Sequence, residues 1–166
     1  MARLGSGWRS VGGVCVVALW TGCAESPAQP ESEPRFGIGG TYLGPVTGET
    51  EAGTLDAQLA LFVAHDDGHL SGTYAIQGQI TFGDLGAFIF GDGTHVGTIY
   101  SGSRPSLALT LQNALCPDHE GELGGRFDPV TGGLELGGTL DVLGPDCTVL
   151  VSYQAWAYLD RSGDTP

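Results

Sequence analysis

Apolar and polar residues alternate in short runs through most of the chain, and glycine or proline separates the runs. The clearest example, residues 58–76, turns at Asp67-Gly68, a dipeptide that favours a two-residue hairpin loop because glycine accepts a positive φ. Alternate positions of the paired strands share a face. One face then carries six apolar side chains: Leu59, Leu61, Val63, Leu70, Tyr74 and Ile76. We predict a hairpin with this face in the core and the opposite face largely in water.

Two further hairpins are predicted from turn residues. One turns at Asp92-Gly93 and pairs Ile89 with Val96. Both of its faces are apolar, and one carries three large side chains: Phe88, Phe90 and Ile99. The other spans residues 122–142 and turns through residues 128–132. Its return strand places apolar side chains inward at alternate positions: Leu134, Leu136, Leu140 and Val142.

The remaining pattern favours an all-β fold. Residues 107–111 and 148–159 alternate in the same way, and no helical period extends beyond a few residues. A five-residue motif recurs at irregular intervals. It consists of an aliphatic residue, two small residues, one variable residue and then an aromatic residue or leucine, and its copies begin at Ile38, Leu70, Leu123 and Leu136. Its glycines permit strong coiling. We predict an antiparallel up-and-down meander of eight or nine strands that closes into a small barrel, which removes exposed edges. A β-sandwich is the alternative.

The first residues of the chain have a different pattern. An apolar run, residues 11–20, follows Arg3 and Arg9. It is well short of the ~20 residues that a spanning helix needs, and it suits the core of a cleavable signal. The run ends at Trp20-Thr21-Gly22-Cys23, which resembles the lipobox of bacterial lipoproteins, although Trp20 stands where that family carries an aliphatic residue. Ordinary signal cleavage that leaves Cys23 unmodified is the alternative.

The lipobox resemblance implies the location and the anchor. Residues 1–22 would be removed as a signal peptide, and Cys23 would carry acyl chains that hold the protein on a membrane outside the cytoplasm. Ala24, the next residue, favours the outer membrane. Residues 23–35 form a tether rich in proline and glutamate with little to bury. We expect one barrel domain over residues 36–160 and a frayed tail over residues 161–166.

The net charge of the chain bears on its binding partners. Without residues 1–22 the chain keeps four arginines, no lysine and nineteen acids, a formal net charge of −15. Nucleic acid is therefore an unfavourable partner, because phosphate contacts need clustered cations.

Cys15 would leave with the signal and Cys23 would take lipid, so Cys116 and Cys147 remain. In an oxidising compartment we expect these two to form a disulfide.

A second resemblance is local. Gly40-Thr41-Tyr42 and residues 67–74, which read Asp-Gly-His-Leu-Ser-Gly-Thr-Tyr, resemble the first strands of avidin-like up-and-down barrels of the calycin class. The resemblance implies a small barrel in which Tyr74 contacts a ligand. It does not imply biotin binding, because that family uses several pocket tryptophans and Trp156 is the only tryptophan after residue 22.

Candidate chemistry is sparse. His65 and His69 flank the Asp67-Gly68 turn, but the predicted pairing points their imidazoles to opposite faces, which disfavours a shared metal. Asp118-His119-Glu120 could hold an acid–base pair; an exposed loop is the simpler interpretation. No nucleophile elbow, metal cluster or phosphate-binding loop is recognisable. We therefore expect no catalytic residues, no metal and no cofactor.

The best candidates for recognition are aromatic. Trp156 and Tyr158 would face outward if Tyr153 faces the core, and Phe88 and Phe90 lie on a strand that is apolar on both faces. We expect a lipid-anchored envelope protein with a non-catalytic barrel that binds either a small apolar ligand in its interior or another envelope protein. A structural or surface interaction module without a small-molecule ligand is the alternative.

Overall fold

In a computed structural model of the protein, the described residues are 37–51 and 53–163. The predicted signal peptide, Cys23 and the predicted tether lie outside them. The described residues form eight strands: β1 Gly40–Thr50, β2 Gly53–Asp66, β3 His69–Phe82, β4 Leu85–Tyr100, β5 Ser106–Asn113, β6 Glu120–Phe127, β7 Leu134–Leu143 and β8 Val149–Gly163.

These strands close into one antiparallel up-and-down barrel. Each strand pairs with the next along the chain, and β1 also pairs with β8. The predicted all-β closed barrel is confirmed, with eight strands. A sandwich is excluded because pairing runs around the whole circumference without a break between two sheets. Alternate side chains point into one interior and form a single core.

The hairpin at Asp67-Gly68 is confirmed with its predicted register. Asp66 pairs with His69 and Leu59 with Ile76, and Gly68 has the positive φ, 82°, that the turn requires. The hairpin of β6 and β7 is confirmed as well, with Phe127 opposite Leu134 across the turn at residues 128–132.

The predicted hairpin at Asp92-Gly93 is wrong. Both residues lie inside the continuous strand β4, where Gly93 pairs with Tyr74 of β3. Gly93 supplies space rather than a turn: a Cβ there would overlap the Gln112 carbonyl oxygen and lie 2.9 Å from Cε1 of the Tyr74 ring. The chain turns instead at Gly83, whose φ is 59°.

This correction changes the two faces of β4. Ile99 packs against the core, so it does not share a face with Phe88 and Phe90 as predicted. Val96 is exposed and lies on the outer face with those two phenylalanines.

The barrel has two different ends. The closed end carries the loops after β2, β4 and β6, and the open end carries the loops after β1, β3, β5 and β7. Ile38 and Tyr42 are fully buried at the closed end, and the Tyr42 hydroxyl donates to the Ile38 carbonyl at 2.6 Å. Arg161 donates to the carbonyl oxygens of Gly37, at 3.0 Å, and Gly39. β8 pairs with β1 as far as Gly163, opposite Thr41, so residues 161–163 of the expected frayed tail belong to the barrel.

One polar side chain lies in the core. His95 of β4 is 1% exposed, and its Nε2–H donates to the Phe62 carbonyl at 2.8 Å. The imidazole reaches β2 by crossing β3 at Gly72, where a Cβ would lie 2.8 Å from Nε2. Nδ1 has no hydrogen-bond partner among the described residues. Burial lowers the pKa of His95 below its ordinary 6.5, and the bond to the carbonyl opposes this shift.

This burial predicts a pH-dependent stability. The unfolded chain binds a proton at His95 more readily than the barrel does, so the free energy of unfolding should fall as the pH drops below about 6.5. The fall should approach ~1.4 kcal/mol per pH unit and stop below the folded-state pKa. In urea titrations between about pH 7.5 and pH 5, His95→Gln should lose this component of the slope. His69→Gln, at an exposed histidine, should keep it; equal slopes in both variants would contradict the assignment.

Candidate functional site

A cleft of about 720 Å³ enters the barrel at the open end. Pockets that hold small molecules have volumes in this range. Three parts of the fold form its walls. These are the last residues of β3 with the first residues of β4, the loop between β5 and β6, and the end of β7 with the following loop. The core residue Leu55 and the half-buried Tyr74 also line it, so the cleft reaches below the rim into the interior.

The cleft exists because neighbouring strands differ in length. β4 pairs with β5 only from Gly93 to Tyr100, so residues 85–92 have no partner on β5. β6 pairs with β7 only up to Leu123 opposite Gly138, so residues 139–143 have no partner on β6. The sheet therefore separates on both sides of the short β5–β6 hairpin, and the interior opens there.

A disulfide fixes the wall on this side. Cys116, in the β5–β6 loop, is joined to Cys147, in the β7–β8 loop, with the Cα atoms 5.6 Å apart, as predicted. Cys116 is buried and lines the cleft. The Asn113 carboxamide oxygen holds the start of this loop by accepting the backbone N–H groups of Leu115, at 2.8 Å, and Cys116, at 3.1 Å.

The lining is mainly apolar, with a few polar side chains. Tyr74 projects from β3, and burial raises the pKa of its hydroxyl while a hydrogen bond to Asn113 opposes that shift. His119 Nε2 donates to Asp141 Oδ2 at 3.1 Å, across the gap between β6 and β7. The Asp141 side chain is 22% exposed. Its second oxygen, Oδ1, is buried and has no hydrogen-bond partner among the described residues.

The structure changes the interpretation of Asp118-His119-Glu120. Asp118 and Glu120 are exposed, as the loop interpretation implied. His119 is instead part of the cleft wall. Its partner Asp141 was not a candidate, because it lies 22 residues away on another strand. The closed barrel register that brings the two together has no local signature in the sequence.

Phe88 and Phe90 stand at the mouth of the cleft. They are 69% and 68% exposed and belong to its wall. Other large apolar side chains are exposed at the same end of the barrel, and together we call this set the apolar rim: Phe82, Leu85, Phe88, Phe90, Leu115 and Leu150.

Trp156 and Tyr158 lie elsewhere. On the outer face of β8, Trp156 is half exposed and Tyr158 is more than half exposed. Tyr153 of the same strand is fully buried, and its hydroxyl donates to the Thr81 carbonyl at 3.1 Å. Trp156 lies along Gly137 on the neighbouring strand. β8 is four strands from β4 around the barrel, so these two aromatic residues are on the opposite side from Phe88 and Phe90.

The remaining candidates do not form a site. His65 is partly buried and accepts the Gly68 N–H at 3.3 Å, whereas His69 is exposed. In residues 37–51 and 53–163, no three histidine, cysteine or acidic side chains are grouped so that they could hold a metal. The same residues include no helix long and apolar enough to cross a membrane.

Comparison with known proteins gives no match: no family model, curated protein or solved structure is significantly similar to this chain. The function must therefore be argued from the cleft itself.

Proposed function

We propose that the barrel binds a small, largely apolar molecule in the cleft at the open end and catalyses no reaction. The observation that carries this proposal is the cleft of about 720 Å³ with a mainly apolar lining and a disulfide in its wall. Apolar surface exposed in a concave site is a source of binding free energy, roughly 25 cal/mol per Å² covered.

The contrast between the two ends supports this proposal. Large side chains fill the closed end, where Ile38 and Tyr42 are fully buried. Small residues replace them in the wall at the open end, where Ala87, Gly91 and Gly121 line the cleft. A Cβ at Gly91 would meet only ordinary contacts, the nearest being Ile76 Cγ2 at 3.4 Å. The small side chains of this wall therefore leave volume unfilled at the open end.

The test is to fill the cleft from its rim. Ala87 is exposed and lines the cleft, so Ala87→Trp adds an indole there without disturbing the core. We expect the fluorescent apolar probe N-phenyl-1-naphthylamine to bind the wild-type barrel, and Ala87→Trp to weaken this binding at least about tenfold. Ala64→Trp, at an exposed position near the closed end of β2, is the matched control and should bind as the wild type does. Equal binding by both variants would contradict the proposal.

We further propose that the protein is a lipoprotein, anchored through Cys23 and most favourably in the outer membrane. The order of the signal, the lipobox-like end and the tether supports this, and so does a disulfide, which persists in oxidising compartments. β1 begins at the closed end, so the chain enters the barrel at the end away from the cleft. Cys23→Ser should move the protein from the membrane fraction to the soluble fraction; continued acylation would contradict the assignment.

The second candidate function is an interaction module. Residues 85–91 of β4 present an edge that is unpaired on the β5 side, next to the exposed Phe88 and Phe90. Such an edge can accept an extended segment of another protein as an added strand. Asp84 and Asp92 flank the edge, so a segment with basic residues at its ends is the complementary partner. Strand addition to an otherwise ligand-free barrel would favour this function over the first.

A further inference from the structure

We infer that the outer face of β6, β7 and β8 binds a neutral oligosaccharide, with Trp156 and Tyr158 stacking against its sugar rings. This site is separate from the cleft at the open end, so it goes beyond the proposed function. Three features of the described residues carry the inference: the two aromatic side chains, the open surface beside them, and a polar depression next to Tyr158.

The two aromatic side chains project from the same side of β8. Trp156 and Tyr158 are two residues apart on one strand, so their Cα atoms are separated by roughly 7 Å and both side chains point outward. They are 50% and 62% exposed. Each ring combines an apolar face with a polar group at its edge. A pyranose ring is complementary, because it presents C–H groups on its face and hydroxyl groups around its edge.

The surface beside the Trp156 indole is open because β7 and β6 carry glycine there. Gly137 pairs with Trp156, and Gly124 pairs with Gly137 on the next strand. The indole lies against Gly137, where a Cβ would be 3.4 Å from Cδ1. A Cβ at Gly124 would have no atom within 4 Å. Because two strand spacings are roughly 10 Å, a sugar stacked on the indole has room for its chain to continue across β7 and β6.

A polar depression of about 380 Å³ adjoins Tyr158 on the other side. Gly133 lies in its lining and leaves space between the neighbouring side chains. The charged groups that line the depression include hydrogen-bond donors and acceptors: Arg104, Arg126, Asp128, Glu135 and Asp160. A guanidinium group only donates and a carboxylate only accepts, whereas a sugar hydroxyl does both. Neighbouring hydroxyl groups of one sugar can therefore satisfy both kinds of group.

Two of these charged groups are available to a ligand. Arg126 and Glu135 lie opposite each other on β6 and β7. Among the described residues, neither side chain has a hydrogen bond or a salt bridge, and the Tyr158 hydroxyl has no hydrogen-bond partner. Hydrogen bonds that involve a charged group are the stronger ones, so sugar hydroxyls would gain most at this pair.

The balance of charge selects a neutral sugar. Two arginines face three carboxylates in the depression, so neither sign of charge on a ligand is matched throughout. An anionic sugar chain would in addition approach a strongly acidic protein against its overall field. A protein partner is less favoured than a sugar, because no large apolar side chain is exposed on β6 or β7 to widen the apolar surface around the two rings.

The emission of Trp156 provides the test. In the full chain with Trp8→Phe and Trp20→Phe, Trp156 is the only tryptophan, so its fluorescence reports this face alone. We expect chitohexaose, a neutral β-linked hexasaccharide, to change the emission saturably. Hyaluronan hexasaccharide, which is β-linked and anionic, should bind at least about tenfold more weakly. Tyr158→Ala keeps the reporter and removes one ring, so the affinity for chitohexaose should fall at least about fivefold.

Tyr100→Ala is the matched control. Tyr100 is exposed on β4, on the opposite side of the barrel, so this variant loses the same ring away from the site and should bind chitohexaose as the wild type does. The midpoint of urea unfolding reports that each variant is folded. Emission that chitohexaose leaves unchanged, equal affinity for the two hexasaccharides, or equal affinity of the two tyrosine variants for chitohexaose would each overturn the inference. None of these results would bear on the cleft.

Discussion

Gly72→Ala should destabilise the barrel by about 2–6 kcal/mol. A Cβ at this position would overlap the Phe62 carbonyl oxygen, and it would lie 2.9 Å from the Phe62 carbonyl carbon and 2.8 Å from His95 Nε2. The Phe62 atoms belong to the backbone of β2, so no side-chain rotation relieves the contact. Overpacking of this kind costs about 1–3 kcal/mol. Displacing His95 adds the loss of its buried hydrogen bond to Phe62, about 1–3 kcal/mol more.

The matched control for this substitution is Gly124→Ala. Gly124 also lies within a paired strand, β6, but a Cβ there would have no atom within 4 Å. Because glycine in a strand has an entropic cost relative to alanine, this variant should be unchanged or more stable by up to about 1 kcal/mol. Urea unfolding of both variants measures the difference. If the two had the same midpoint, the close approach of β2 and β3 at Gly72 would not be a determinant of stability.

Removing the disulfide should have the second large effect. The double variant Cys116→Ala/Cys147→Ala opens a link between residues 31 positions apart. On the chain-entropy model, a loop of this length stabilises the folded state by about 3–4 kcal/mol. We expect a loss of this size in the free energy of unfolding, measured with urea. The bridge also joins the two loops on one side of the cleft, so affinity for N-phenyl-1-naphthylamine should fall in the same variant.

Reduced wild-type protein is the control for the disulfide variant. It keeps both sulfur atoms, so it separates the covalent link from the packing of Cys116, which is buried in the cleft wall. The reduced protein and the double variant should unfold at closely similar urea concentrations. A stability equal to that of the oxidised wild type would show that the link contributes little.

The comparison of two Asp-Gly dipeptides shows what the sequence could predict about the fold. At Asp67-Gly68 the dipeptide forms a turn, with positive φ at both residues. At Asp92-Gly93 the same dipeptide lies inside a strand, where the glycine leaves room for the ring of Tyr74. Glycine serves both needs, and only the position of Tyr74 on the neighbouring strand distinguishes them. A closed barrel of eight or nine strands was still predictable, because it depends on alternation repeated along the whole chain.

The candidate site was predictable only in part. The sequence predicts Phe88 and Phe90 as candidates for recognition, and both line the cleft. It predicts the wrong neighbours for them, because the Asp92-Gly93 dipeptide inside β4 has the pattern of a turn. Tyr74, singled out by the avidin-like resemblance, also lines the cleft. The pair of His119 and Asp141 could not be foreseen, since the two side chains meet only after the barrel has closed. The cleft itself results from unequal strand lengths, which the alternation pattern locates poorly.

Every described arginine lies at the closed end, where Asp66, Asp67, Asp128 and Asp160 also lie, so the open end is the more negative of the two. This difference gives the barrel a permanent electric dipole along its axis. Near a surface of negatively charged lipid, the resulting torque turns the arginine-bearing end toward the lipid and the acidic end toward solvent. Orientation of the molecule would then not depend on a stiff tether. Raising the ionic strength would relax this alignment, because mobile ions shorten the range of the field.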